Sequence, residues 1–253
     1  GETPRLIDEW QVAPVLWDAV RNTVDERNQK GQFILTGSTV VEDKNGEIMH
    51  TGTGRISKMP MYPMSLYESK ESTGSISLRL LFDDPAYDID GLQSDMTVEK
   101  LIFAACRGGW PASLDVTSQE AQLLIAKDYV NVICDEDISR VDGVRRQPAL
   151  ARLIMRSYAR NICTLVKKSK MLADITVEME KTSMPTFDDY LSALQRLFVI
   201  EDVEAWCPAI RSAAAIRSGA KRCFVDPSIA VAALGMSPRS LELDLRTFGF
   251  IFE

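Results

Sequence analysis

Residues 4–38 hold the feature that most narrows the choice of fold. Pro4-Arg-Leu-Ile-Asp-Glu-Trp-Gln carries a short apolar strand ending in the acidic pair Asp8-Glu9. Pro14 then sits at a plausible first helical position of a segment reaching residue 29, with Leu16, Ala19, Val20 and Val24 on one face and Gly31 beyond its end. A second apolar strand, Phe33-Ile34-Leu35, ends in the small polar trio Thr36-Gly37-Ser38. Strand, helix and strand in this order make a parallel unit, because parallel neighbours need a crossover and a helix supplies it. Both polar ends then open into one crevice, at the carboxyl ends of the strands, where open α/β sheets bind ligands.

In a phosphate-hydrolysing ATPase, an Asp at the first of these positions helps hold Mg²⁺. An adjacent Glu can polarise the attacking water, and hydroxyls on the neighbouring strand can orient it. Taken alone, the acidic pair is better explained as a helix amino end rich in acids. The longer pattern is more specific. Pro-Arg-Leu-Ile-Asp-Glu-Trp-Gln, Pro14, Trp17, Phe-Ile-Leu-Thr-Gly-Ser, His50-Thr-Gly-Thr-Gly-Arg55-Ile56 and Pro63-Met-Ser-Leu-Tyr-Glu68 follow one another. In that order they resemble a large prokaryotic family of AAA-type ATPases, in which the ATPase module precedes a C-terminal domain of unknown function. The resemblance covers essentially the whole chain. It implies Asp8 as Mg²⁺ holder, Glu9 as water-polarising base, Thr36 and Ser38 as water-orienting hydroxyls, and ATP with Mg²⁺ as cofactors of an intact parent. Arg55, after its Gly-Thr-Gly turn, would come close to the strand ends and meet phosphate charge; its other reading is an exposed or salt-bridged loop arginine. AAA-type modules often form rings, so a homo-oligomer is a further implication.

One departure changes the expected activity. The phosphate-cradling loop, Gly-x-x-x-x-Gly-Lys-Ser/Thr, is absent: Gly52 and Gly54 lead into Arg55, and Gly108-Gly109 lead into Trp110. In the family that loop lies upstream of the acidic pair. The expectation is a chain without its first strand, phosphate loop and first helix, a poor ATPase that binds no cofactor tightly.

With 253 residues, the chain has room for one large or two modest domains. The expected division is a partial α/β ATPase core over residues 1–92 and a mainly helical domain over 93–253. An apolar fraction of 45% and near-zero mean hydropathy fit a soluble protein with a real core. No run is long enough to span a bilayer, and no leader pattern is present, so neither membrane nor export is expected. Five scattered cysteines with no Cys-x-x-Cys pair read as buried thiols of a cytoplasmic protein.

A net charge of −7 disfavours non-specific nucleic-acid binding by the whole chain. Residues 145–181 depart from it, with nine basic residues against three acids, a net of +6. Within that segment Arg152, Arg156 and Arg160 recur every four residues as one helical stripe. It could hold a DNA backbone or dock the acidic ATPase part. This is the alternative reading of the chain: a nucleic-acid or protein interaction module in which the ATPase residues are vestigial.

Elsewhere, Asn45-Gly46 reads as a hairpin or tight loop and His50, the sole histidine, as a loop residue. Met59–Met64 reads as an edge or packing segment, and residues 69–96 as a solvated linker whose Asp clusters lack calcium-loop spacing. Helices are expected over 98–106, from a Thr117-x-x-Glu120 capping box to about Ile133, from Pro148 to about Lys167 with Ile162 and Leu165 inward, over 170–175, and from Thr186-x-x-Asp189 onward. Trp110-Pro111 is expected to be a turn. Phe198–Ile200 and Arg222–Val225 read as a strand pair, giving the order of a winged helix-turn-helix. The candidate recognition helix opens with Asp188-Asp189, however, which would face phosphates with like charge. In the family the last helix continues into a nuclease-like fold; a lone Glu253 does not assemble a metal site, and no nuclease activity is expected.

Overall fold

The computed structural model describes residues 4–39, 52–84, 86–176, 182–208 and 218–253. Asn45-Gly46, His50 and Lys181 lie outside them. Strand β1 (Arg5–Ile7) and strand β2 (Phe33–Leu35) pair in parallel, Leu6 opposite Ile34, with helix α1 (Val15–Arg27) as the crossover. Asn28, in the left-handed region at φ 47°, ends α1 by giving its N–H to the Val24 carbonyl. The unit buries Trp17, Val20 and Gln32, and Trp10 lies against Trp17 with ring centres 4.9 Å apart. Leu6 and Ile34 remain largely exposed. The turn at Gly52 closes over Trp17 so tightly that a Cβ there would stand 2.8 Å from the ring.

The main core lies elsewhere. Its buried cluster runs from Ile102 to Ile251 and draws on α3 (Val98–Arg107), α5 (Gln119–Val132), α6 (Ile138–Arg140), α7 (Pro148–Arg160), α8 (Lys168–Thr176), α9 (Met184–Arg196), α10 (Pro227–Leu234), α11 (Pro238–Leu243) and α12 (Leu245–Phe252). Helix α7 is the central element. Leu150, Ala151, Ile154, Met155, Tyr158 and Ala159 recur at three- and four-residue spacing and are all buried, facing α8 and α10 among others.

Several boundaries differ from the sequence reading. Ser118, not Thr117, caps α5, accepting from the Ala121 N–H. Ser183 caps α9 one turn before Thr186, because Pro185 costs nothing in a first turn whose N–H groups have no helical partner. Asp188 and Asp189 therefore stand in the second turn. Helix α7 stops at Arg160 rather than near Lys167: Cys163 turns left-handed at φ 55° and donates its N–H to Arg222, leaving Leu165 exposed. Pro111–Leu114 forms a short helix, α4, where a turn was expected, and α2 (Leu78–Asp83), capped by Ser77, lies inside the expected linker. The strand pair is reduced to two antiparallel bridges, Ile200 with Phe224 and Val203 with Lys221.

Residues 60–72 lie against the helical part. The Met64 N–H donates to the Gly109 carbonyl at 2.7 Å, Tyr62 donates to Glu201 at 2.9 Å, and Arg107 grips Glu71 through two hydrogen bonds of 2.9 and 2.6 Å. Gly109 has to be glycine for this approach, since a Cβ would stand 2.2 Å from the Met64 carbonyl oxygen.

Candidate functional site

The carboxyl ends of β1 and β2 meet as the strand–helix–strand order requires. The Thr36 N–H donates to the Ile7 carbonyl at 3.0 Å and the Trp10 N–H to the Thr36 carbonyl at 3.1 Å, which carries the pairing past the strands. Four of the five residues singled out for phosphate chemistry are thereby brought together. Thr36 Oγ1 donates to Asp8 Oδ1, and Ser38 Oγ lies 3.3 Å from Glu9 Oε2, to which it donates. Glu9 has left-handed backbone angles, φ 50° and ψ 45°, so the chain bends sharply directly after Asp8. Asp8, Glu9 and Ser38 are exposed.

Gln11 is the residue that the sequence reading left without a role. Its amide nitrogen donates to Glu9 Oε2 and, at 3.2 Å, to Ser38 Oγ, tying the acid to the second strand. Gly37 makes room for it: a Cβ there would stand 2.4 Å from Gln11 Oε1 and 3.3 Å from the Trp10 ring nitrogen. The available signal was a glutamine two positions beyond Glu9, facing a glycine between two hydroxyl residues.

Arg55 is placed elsewhere. Its Nε donates to Asp25 Oδ1 at 2.8 Å, and Nη1 to the Thr53 carbonyl at 3.4 Å. Asp25 is ten residues into α1, about 15 Å along the helix axis from its start beside the strand ends. The guanidinium holds the Asp25 carboxyl below its usual range by hydrogen bonding and charge. The salt-bridged alternative therefore describes Arg55 as it stands in this structure.

The basic stripe is largely neutralised by acids from other segments. Arg152 pairs with Asp135 at 2.6 Å and Arg160 with Asp174 at 2.9 Å, while Lys168 pairs with Asp188 at 2.7 Å. Arg146 is buried, bonded to Asp142, Asp189 and the Ile138 carbonyl. Arg156 is exposed on α7, with no ion pair among the described residues.

The cluster can be tested for fit to Mg²⁺ and ATP. One exposed carboxylate with a neighbouring hydroxyl suits Mg²⁺, which takes one or two carboxylates and completes its shell with water and phosphate oxygens. Asp8 and Thr36 meet that requirement. No group of three or more potential metal ligands exists among the described residues, so no all-protein cation cage is present there. The 253 residues contain no Gly-x-x-x-x-Gly-Lys-Ser/Thr loop. The fit is thus to the acid and hydroxyl side of such a site.

Comparison with known families gives two matches. Residues 1–70 match an AAA domain, and residues 98–240 match a domain of unknown function, DUF8612. The chain belongs to the DUF8612 family, joined on its amino-terminal side to a segment of an AAA-type ATPase. Searches of curated proteins and of solved structures found no match. No helix among the described residues is long and apolar enough to cross a membrane.

Proposed function

We propose that residues 1–92 supply the acid-bearing half of an AAA-type ATP-hydrolysing site, and that residues 93–253 form a helical domain of winged-helix order which that site moves. The observation that carries this reading is the cluster of Asp8, Glu9, Thr36 and Ser38 at the carboxyl ends of two parallel strands. Asp8 would hold the cation through the carboxylate that now accepts from the Thr36 hydroxyl. Glu9 accepts a proton from the attacking water while Gln11 and Ser38 fix its carboxylate, and the hydroxyls orient that water. Bound Mg²⁺ would offset the phosphate charge. The succession α7, α8, α9 and the 200/224 and 203/221 bridges supports the winged-helix order. A ring of identical subunits and a cytoplasmic setting belong to the same reading.

Ion pairing of Arg152, Arg160 and Lys168 weighs against the nucleic-acid alternative, because those cations already have carboxylates. The discriminating experiment is calorimetric titration with Mg-ATP of this chain, and of the same chain with a strand, Gly-x-x-x-x-Gly-Lys-Ser/Thr loop and helix placed before Gly1. Tight binding by the extended protein alone is expected. Glu9→Gln in the extended protein should leave ATP bound and unhydrolysed, and unchanged turnover would refute the role of Glu9. Salt-sensitive DNA binding lost on neutralising Arg156 would favour the alternative.

A further inference from the structure

Cys163 and Cys223 are 60 residues apart in sequence, yet their sulfur atoms lie 3.9 Å apart. Both backbones are already held at that approach. The Cys163 N–H donates to the Arg222 carbonyl at 2.8 Å, and the Arg222 N–H donates to the Thr164 carbonyl at 3.1 Å. The Cys223 carbonyl accepts from the Glu201 N–H at 2.8 Å and from the Tyr158 hydroxyl at 3.3 Å. Cys163 holds a left-handed conformation, φ 55°, that its side chain disfavours. Two thiols on neighbouring, hydrogen-bonded segments need a small side-chain rotation to reach bonding distance.

We propose that Cys163 and Cys223 form a reversible disulfide that staples the end of α7 to the segment carrying the 200/224 and 203/221 bridges, with a small-molecule disulfide of the glutathione class as the oxidant. Cys223 is the more exposed of the two and Cys163 is buried, which orders the steps. The Cys223 thiolate attacks the oxidant, forming a mixed disulfide and expelling one small thiolate. The Cys163 thiolate then attacks Cys223 Sγ and expels the second. One S–S bond breaks and one forms, two protein thiols are oxidised, and their two protons pass to the released thiolates. Burial and the adjacent Cys223 push the Cys163 thiol up to about 11, so at neutral pH it is mostly the protonated thiol and its attack on the mixed disulfide is slow. Cys106 and Cys134 are buried in the core, and their thiols are raised to about 12 and about 11 by burial.

The test is made on the whole chain, folded, with oxidised glutathione as the probe. Intact mass should fall by about 2 Da. A non-reducing tryptic map should join peptide 161–167 to peptide 223–239, which contain one cysteine each. The melting temperature should rise by about 5 °C and return on adding dithiothreitol. Cys223→Ser should abolish the link, whereas Cys207→Ser should keep it. Retention of all five thiols, a link between other cysteines, or a glutathione adduct on Cys223 that does not resolve would overturn the proposal. A correct link with no change in melting would overturn the stapling role. The wild-type peptide map gives its answer whether or not either variant folds.

Discussion

The two ends of this chain solve opposite problems. The strand–helix–strand unit buries three residues among those described and leaves Asp8 and Glu9 in water, whereas the helical part buries a continuous cluster and takes several charges inside with partners. Arg146 is enclosed by Asp142 and Asp189, Arg107 faces Glu71, and buried Asp226 accepts from the Gly109 N–H and from both polar groups of Ser228. The difference teaches where polar groups can act. A carboxylate whose hydrogen-bonding capacity is filled inside a core secures architecture, and one exposed at a strand end stays available for chemistry.

The sharpest way to break the comparison is through the cores. Phe187→Ala should lower stability by about 3–5 kcal/mol in urea unfolding, since Phe187 is fully buried and the cavity cannot refill. Trp17→Ala should loosen the amino-terminal unit while moving the main transition by less than ~1 kcal/mol. Equal shifts from the two variants would show one cooperative body. Arg146→Ala comes next, at about 3 kcal/mol, because it removes the buried guanidinium that bonds both Asp142 and Asp189 and leaves Asp142 the longer Arg196 contact of 3.3 Å.

That pair also has a pH signature. Hydrogen bonding and charge from Arg146 hold the Asp142 carboxyl at about 2, against an ordinary 3.8. A depressed carboxylate contributes stability above its unfolded value and loses it as pH falls towards the folded one. The wild type should therefore lose that contribution between pH 3.8 and about 2, and Arg146→Ala should lose less over the same window in acid unfolding. Gly109→Ala should cost about 1–3 kcal/mol and expose the Met64 amide to hydrogen exchange, because its Cβ collides with backbone. The smallest global effect is expected from Gly37→Ala: less than ~1 kcal/mol of stability, with Gln11 displaced and its side-chain amide resonance shifted.

Much of the fold could be read from local pattern. The parallel pair, the crevice at its polar ends and the inward face of α7 follow from period and strand order, which depend on near neighbours in sequence. The α5 and α9 caps were misplaced because runs such as Thr117-Ser118 offer two equivalent hydroxyls, and the choice depends on packing. The Arg152 and Arg160 stripe looked like an open basic face because Asp135 and Asp174 reach it from other helices. Arg55 was expected at the strand ends from its Gly-Thr-Gly turn and the family pattern, while its carboxylate, Asp25, sits 30 residues earlier. Gln11 carried no periodic or motif signal, and its role emerged with the Gly37 contact.

The clasp between Glu71 and Arg107 bears on how such a domain could be cut or exchanged. An excised piece opening at Val98, where the family match begins, would keep the guanidinium and discard its acid, and would also strip the Met64 cover from Gly109. The transferable part starts near Tyr62, inside the stretch that sequence comparison assigns to the other family. Inheritance and mechanics draw this border in different places, and a piece cut at the mechanical one keeps both contacts.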